Sequence, residues 1–247
     1  MRMWVALVVL CCARAALAAD RVVEVKTQPD LADGFGALPR IVDPRDSAEA
    51  AINTALARLD AVARKAQGAC RGVDRNTPGD WGRSVTTSMR GPGFLSIVID
   101  DSYDCGLAHP EEDVMAIVYD LRTGATVDWS RLLPLRLTGA LSLKKDFDGT
   151  RTVVLASQRL AELVLSRYRY AHADSPECLQ AAKDAAALGP PKMSAWLDAK
   201  AKGLALQFSL PYTAESCADP VILSAGVLKA EGADVDLLNA LATAPDD

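Results

Sequence analysis

The change of hydrophobic period along the chain is the feature that most restricts its fold. Between residues 46 and 68, apolar side chains recur every three to four positions, which predicts a helix. Asp46, followed three residues later by Glu49, is typical of a helix start, and Gly68 is typical of a helix end. The predicted apolar stripe consists of Ala48, Ile52, Ala55, Leu59, Val62 and Ala66.

The stretch from about residue 83 to residue 129 alternates between apolar and polar side chains, which is typical of strands. The alternation is clearest at Val85, Thr87, Met89, Leu95, Ile97 and Ile99. We expect three or four antiparallel strands, with the segment YDCGLAHPEED, residues 103–113, as the loop between two of them. Because strands follow strands instead of alternating with helices, the pattern indicates the α+β class, an antiparallel sheet with packed helices.

Further elements are predicted in the second half of the chain. Helices are expected over residues 153–168 and 175–188, the second with Ser175 as its N-cap. The segment LALQFSL, residues 204–210, predicts a strand, and a short strand near 221–223 and a helix over 235–241 follow. We expect one extracytoplasmic α+β domain over residues 19–247. The alternative is a division into two subdomains, at about 19–90 and 91–247.

The first 18 residues have the composition of a secretory signal peptide. A positive charge at Arg2 precedes an apolar run, and Ala16-Leu17-Ala18 supplies the small residues of a cleavage site. The run is shorter than the roughly 20 residues that span a membrane, so we expect a soluble periplasmic or secreted protein. The alternative is a lipoprotein modified at Cys11 or Cys12. Ordinary cleavage is favoured because Leu10 is larger than the residue that usually precedes a lipidated cysteine.

Four cysteines remain after cleavage at residue 18: Cys70, Cys105, Cys178 and Cys217. In an oxidising compartment they would form two disulfides, for which three connectivities exist. Their order along the chain favours Cys70–Cys105, which would join helix to sheet, and Cys178–Cys217. No CxxC pair occurs, which disfavours a zinc ribbon or a thioredoxin-like redox centre.

The acidic balance of the chain restricts its partners. The formal net charge is -5, and removal of Arg2 and Arg14 with the leader makes the mature protein more acidic. Nucleic-acid binding depends on phosphate neutralisation by Lys and Arg, so this class is disfavoured. A basic partner is compatible with the charge.

Three stretches together resemble one bacterial family. They are LPRIVDP followed by AAINTAL, CGLAHP followed by YDLRTGATVDWSRLLP, and KGLALQFSLPYTAESCADPVIL. The family is the extracellular domain of unknown function that is found in the lysozyme-responsive anti-sigma factor and ahead of some peptidoglycan deacetylase domains. The resemblance covers about residues 38–229 and implies an α+β fold. We expect only the extracellular half of those systems here.

The resemblance also implies candidate ligand contacts at Tyr103, Gly106, His109 and Tyr212. For Tyr212 the favoured alternative is a ring packed at the end of the strand with its hydroxyl hydrogen-bonded. Leu107 replaces a glycine of the family turn, and Tyr103 lies about one position farther from the histidine than in the family. A ligand that needs close backbone approach at that glycine is therefore expected to be excluded.

Catalysis and metal binding have weaker support in the sequence. His109 has carboxylates nearby, as a general base requires, but acids beside a turn are usually solvated. A structural zinc site needs four His or Cys ligands, and the chain has two histidines, so oxidation of the cysteines would exclude it. Neither a calcium-loop spacing nor a GxSxG elbow occurs, and we expect no metal and no cofactor.

The sequence thus favours an exported, non-catalytic binding module of the cell envelope, with a lysozyme-like protein or a cell-wall component as ligand. The alternative is an envelope hydrolase that uses His109 with a neighbouring carboxylate. A purely structural envelope protein is a third possibility.

Overall fold

The computed structural model describes residues 21–71, 79–106, 109–146, 148–171 and 174–246, without the side chains of Ala171 and Tyr212. The predicted signal peptide, residues 1–18, lies outside the described residues, as do Cys11 and Cys12. In the part that is described, no helix combines the length and the apolar character that crossing a membrane requires.

A long helix dominates the first part of the chain. Strands β1 (Val25–Lys26) and β2 (Arg40–Ile41) pair antiparallel and precede helix α1 (Ser47–Arg71). The Asp46 carboxylate accepts from the backbone N–H of Glu49 at 2.9 Å, so the predicted start is confirmed.

The end and the buried face of α1 differ from the prediction. The helix passes Gly68 and ends at Arg71. Leu56 and Ala63 are buried, whereas the side chain of Val62 is 42% exposed, because the buried stripe is rotated from the predicted one. The rotated stripe also buries Asp60.

The predicted block of antiparallel strands is confirmed. Strands β3 (Asp80–Arg90), β4 (Phe94–Asp104) and β5 (Glu111–Asp120) form one sheet in the order β3-β4-β5. The pairing of β3 with β4 shifts register between Thr87 and Met89. At this shift the Ser88 carbonyl accepts from the backbone N–H of Ala199 at 2.9 Å, which ties the sheet to the second half of the chain.

Short helices and a hairpin follow the sheet. They are α2 (Trp129–Leu132), α3 (Leu135–Thr138), β6 (Ser142–Lys145), β7 (Arg151–Val154), α4 (Gln158–Ala171) and α5 (Pro176–Ala187). The helix predicted over 153–168 begins later, because Val153 and Val154 belong to β7. Ser175 occupies the N-cap position of α5, but its side chain makes no capping hydrogen bond.

A second antiparallel sheet closes the chain, in the order β10-β9-β8. Its strands and the elements around them are β8 (Met193–Asp198), β9 (Gly203–Phe208), a 3-10 turn (Tyr212–Cys217), β10 (Val221–Ser224), α6 (Ala225–Ala230) and α7 (Val235–Thr243). The sequence did not predict β8. Residues 193–197 are buried on both faces of the strand, so they lack the alternation that marks a half-exposed strand.

The sheet β3-β4-β5 separates two hydrophobic cores. The helix-side core lies between this sheet and α1, and its largest members include Phe35, Leu38, Ile52, Leu56, Trp81 and Ile99. The sheet-side core lies between the two sheets and beneath α4, and includes Phe94, Trp129, Leu160, Tyr168, Leu204 and Leu237.

Each core contains one disulfide. Cys70 at the end of α1 is bonded to Cys105 after β4, and Cys178 of α5 is bonded to Cys217 at the end of the 3-10 turn. The predicted connectivity and the predicted disulfide-stapled α+β class are thus confirmed.

The helix-side core also buries an ion cluster. The Arg83 guanidinium donates two hydrogen bonds of 2.6 Å to the Asp101 carboxylate and lies 3.3 Å from Asp148 Oδ2. The guanidinium carbon is 4.8 Å from the centre of the Phe35 ring. Burial raises the pKa of Asp101, and the bonds from Arg83 oppose that rise. Arg83 is therefore the buried cation that compensates two buried carboxylates.

Candidate functional site

The loop between β4 and β5 is held from beneath by a disulfide. Cys105 is buried in its bond to Cys70, and Gly79 packs so closely that a Cβ there would lie 2.5 Å from the Cys70 carbonyl oxygen. Gly106 has φ +75°, in the left-handed region that glycine adopts without steric cost. Leu107, the predicted departure from the family turn, lies outside the described residues. The disulfide thus fixes the base of the loop.

His109 lies on the outer part of this loop. Its Nδ1 is 3.2 Å from the Pro110 carbonyl oxygen and 3.8 Å from Glu111 Oε1. A separation of 3.8 Å is too long for a hydrogen bond, and the two side chains are 36% and 39% exposed. The approach of Glu111 is therefore not the hydrogen bond that would orient His109 as a general base.

Tyr103 occupies a different environment from His109. It is buried at the end of β4, where its ring centre lies 5.7 Å from that of Trp81. Burial, together with the charges of Asp113 and Glu111, raises the pKa of its hydroxyl. Tyr212 begins the 3-10 turn, and its side chain is outside the described residues.

A cleft of about 810 Å³ opens beside Tyr103, between the two sheets. One wall is the start of β5 with the neighbouring part of β4, and the other is the end of β9 with the segment that follows it. The apolar part of the described lining is Val98, Val114, Trp196, Phe208, Leu210, Pro211, Ala218 and Pro220. Of the four predicted ligand contacts, Tyr103 lines this cleft, whereas Gly106 and His109 are not among the lining residues that the structure describes.

Acidic side chains dominate the charged lining of the cleft. There are six, Asp100, Glu111, Glu112, Asp113, Glu215 and Asp219, against the two lysines Lys144 and Lys145. Lys144 contacts the Asp113 carboxylate and lies 3.4 Å from Asp146 Oδ1, so its charge is already shared between two acids. The cleft is therefore a region of negative potential.

Asp146 lies behind Lys144, at the start of the turn between β6 and β7. Its side chain is almost completely buried, and Thr152 Oγ1 donates to its Oδ2 at 3.0 Å. Burial, and then the charge of Asp113, raises the pKa of Asp146 to about 7, against the opposing effect of Lys144. This carboxyl consequently changes its charge near neutral pH.

Glu215 crosses the cleft from the 3-10 turn to the edge of β5. Its Oε1 accepts from the backbone N–H of Glu112 at 3.0 Å. Burial raises the pKa of Glu215, as do the charges of Glu112, Glu111 and Asp113, while the bond from Glu112 opposes the rise. A carboxylate is thus held on the strand edge among like charges.

The wall formed by residues 207–220 was missed by the sequence analysis. Phe208 was predicted on a strand and Tyr212 as a ligand contact, but no local signal places Glu215 opposite Glu112, since more than 100 residues separate them. In the described part of the chain, no group of three or more His, Cys, Asp or Glu side chains is arranged to hold a metal ion.

Comparison with known proteins identifies the fold and no more. No family model matches the sequence, and no curated protein matches it significantly. A crystal structure of a DUF3298 family member from Bacteroides fragilis is similar, with a TM-score of 0.51 and 10% identity over 90% of this chain and 96% of that one. A DUF3298 family protein from Pseudomonas aeruginosa gives a TM-score of 0.48 and 11% identity over 89% of this chain and 98% of the other. Structural neighbours of this chain are therefore members of a domain family of unknown function.

Proposed function

We propose that this protein is an exported, non-catalytic binding module of the cell envelope. Its ligand is a basic protein of the lysozyme type or a cell-wall component, and it binds in the acidic cleft between the two sheets. The observation that carries the proposal is the cleft of about 810 Å³, with six acidic side chains and two lysines in its lining. Clefts lined by one sign of charge raise the local concentration and the association rate of oppositely charged ligands.

Export is supported by the leader-like sequence of residues 1–18 and by the two disulfides, which persist in oxidising compartments. The resemblance to the extracellular domain of the lysozyme-responsive anti-sigma factor supports the choice of ligand. The fold shared with the DUF3298 family member from Bacteroides fragilis agrees with the resemblance, which implies an α+β domain of unknown function.

The lining of the cleft favours binding over catalysis. Its lining combines apolar and acidic side chains, which offer area and charge to a macromolecular surface. His109, the candidate base of the hydrolase alternative, is not among the lining residues, and its approach to Glu111 is 3.8 Å on an exposed loop. An enzyme based on this pair would lose orders of magnitude in turnover in the His109→Ala variant. A binding module should retain its affinity in that variant.

Titration calorimetry of the oxidised mature protein with a lysozyme tests the proposal. We expect association that weakens as ionic strength rises. The double variant Asp100→Asn/Glu112→Gln, which removes two charges from the cleft, should bind about tenfold more weakly. The matched control Glu24→Gln/Asp30→Asn removes two exposed charges outside the cleft lining and should bind as the wild type does.

Peptidoglycan fragments form the second arm of this experiment. Binding of the fragments alone, with the same loss in the cleft variant, would assign the ligand to the cell wall. Absence of salt-sensitive association with both ligands, or equal losses in the cleft variant and its control, would contradict the proposal.

A further inference from the structure

The backbone of β5 is covered differently at its two ends. On the side of the strand away from β4, β5 is hydrogen-bonded to the backbone of the segment that follows it. The Val118 carbonyl oxygen accepts from Val127 N at 2.8 Å, and Asp120 N donates to the Ala125 carbonyl oxygen at 2.9 Å. At the other end, the groups bonded to this side are side chains. Glu215 accepts from Glu112 N at 3.0 Å, and Ser194 Oγ donates to Val114 O at 3.0 Å. The start of β5 is therefore a sheet edge whose described outward partners are side chains.

This edge opens into the cleft along both of its faces. Successive side chains of a strand point to opposite faces of the sheet. Glu111 and Asp113 lie on one face and Glu112 and Val114 on the other, yet all four line the same cleft. A cleft reached from both faces of a strand must run past the strand's edge. Another chain placed there meets the backbone of β5 directly.

The residues beside the edge define the chemistry of an incoming segment. β5 is the outer strand of its sheet, and along this edge Glu111 and Glu112 are partly or fully exposed, while Asp113 is already paired with Lys144. A strand added to the edge would bring its own side chains into cross-strand contact with these acids, where opposite charges stabilise and like charges destabilise. Lys or Arg at alternate positions therefore suits this edge, and acidic segments do not.

We infer that the start of β5 is a strand-addition site, where a basic polypeptide segment in extended form pairs with the Glu111–Val114 edge inside the cleft. This inference rests on the proposed function and specifies how the ligand binds. The four residues of the edge span about 13 Å at roughly 3.3 Å per residue, so the site takes a segment of about four to six residues.

Glu215 acts as a substitute for the missing strand. Its carboxylate satisfies the Glu112 N–H, as a backbone carbonyl of an added strand would. It does so beside Glu111 and Asp113, whose charges repel it. A neutral carbonyl oxygen accepts from the same N–H without this repulsion, and a basic side chain next to it would pair with the released carboxylate. Binding is thus an exchange of one acceptor for another at the same N–H.

Peptide binding to the oxidised mature protein tests strand addition. The probe is a blocked heptapeptide of alternating Lys and Val, compared with two forms that are N-methylated either at every Lys or at every Val. The three peptides carry the same charge, but each methylated form has lost the N–H groups along one of its edges. We expect one methylated form to bind about tenfold more weakly and the other to stay within about twofold of the parent. Equal binding of all three would overturn the inference.

The variants Glu215→Ala and Glu215→Gln form a matched pair, because both remove the same charge. Only the glutamine keeps an acceptor for the Glu112 N–H. Strand addition predicts that Glu215→Ala binds the parent peptide about threefold more tightly than Glu215→Gln. Equal affinities would contradict the exchange of acceptors.

The outcomes separate this inference from the proposed function. If lysozyme or peptidoglycan fragments bind in the cleft while the heptapeptide does not, strand addition is wrong and the binding module stands. If the heptapeptide and both natural ligands fail to bind, both proposals are wrong.

Discussion

The two cores of this protein bury different kinds of polar group. In the helix-side core the buried polar side chains are mostly charged: Glu49, Asp60, Arg83 and Asp101. On the other side of the sheet they are mostly hydroxyls, Ser96, Thr138, Ser157 and Ser194, beside the carboxylate of Glu231. The two cores contain one disulfide each and share the sheet β3-β4-β5, so the contrast lies in their polar contacts.

The buried carboxylates of α1 bind groups of the segment that precedes the helix. Glu49 of α1 binds Arg21 at 2.5 Å, and Asp60 binds Arg40 at 2.5 Å and the backbone N–H of Leu38 at 3.0 Å. A buried charge is costly without its partner, so each pair admits few other arrangements of the chain around it. Hydroxyls carry a smaller penalty, and the sheet-side core depends correspondingly more on apolar burial. The contrast predicts that loss of one polar partner is more damaging on the helix side.

Replacement of Arg83 should produce the largest effect. Arg83→Met leaves Asp101 and Asp148 buried without their cation, and we expect the free energy of unfolding to fall by about 3 to 5 kcal/mol. Urea unfolding followed by circular dichroism measures this change. The control Arg64→Met, at an exposed position of α1, should stay within about 0.5 kcal/mol of the wild type. A loss in Arg83→Met as small as in the control would remove the distinction between the two cores.

Removal of the disulfides should affect the two cores equally. The sequence separations are 35 for Cys70–Cys105 and 39 for Cys178–Cys217, so loop closure predicts a loss of about 3 to 4 kcal/mol for each. The double Cys→Ser variants of the two pairs, compared by urea unfolding, measure both losses. If the helix-side variant lost about 1 kcal/mol more of its free energy of unfolding than the other variant, chain entropy alone would not explain the loss. The charges around that disulfide would then also contribute to its stabilising effect.

A hydroxyl of the sheet-side core should have a smaller effect. Ser96 Oγ accepts from the backbone N–H of Leu197 at 3.1 Å and bonds to Ser88 Oγ at 2.9 Å, which joins the two sheets. Ser96→Ala leaves that buried N–H without its acceptor, and we expect a loss of about 1 to 2 kcal/mol in thermal or urea unfolding. Ser166→Ala on the exposed side of α4 should be nearly neutral. A loss above that of Arg83→Met would reverse the comparison.

A further test concerns the pH dependence that the buried carboxyl of Asp146 gives to stability. Its pKa of about 7 in the folded protein lies above its ordinary value of 3.8, so between these values the folded state binds more protons than the unfolded state. The contribution of Asp146 to stability is therefore complete below pH 3.8 and is lost as pH rises towards 7. The Asp146→Asn variant should gain stability relative to the wild type between pH 5 and pH 8 in urea unfolding. A constant difference across that range would contradict the raised pKa.

Much of the fold was predictable because it depends on local periodicity. The start of α1 at Asp46 and the antiparallel strands around Ile97 follow from the residues themselves. Strand β8 was missed because burial on both faces removes its alternation. The buried face of α1 differs from the predicted stripe because Asp60 faces inward, paired with Arg40. A polar residue at a buried position cannot be recognised from hydrophobicity.

The candidate site was less predictable, since it is built from distant segments. The sequence identified Tyr103, which lines the cleft, and His109, which does not. The meeting of Glu112 with Glu215, and of Lys144 with Asp113, depends on how the two sheets pack. Composition indicated an acidic protein, but periodicity contains no information on which acids share a cleft.

The two disulfides also determine how the protein would respond to tension applied at its ends. Each bond closes a loop within its own core, with separations of 35 and 39 residues, and the described part of the chain contains no disulfide between the two cores. A pulling force cannot extend the residues inside these loops, whereas it can lengthen the chain between Cys105 and Cys178, which includes β5 and the β6–β7 hairpin. The β5 part of one wall of the cleft therefore lies on the extensible segment, whereas most of the other wall lies within the loop that Cys217 closes. In a stretched molecule the acidic cleft would separate while both covalent loops stay closed.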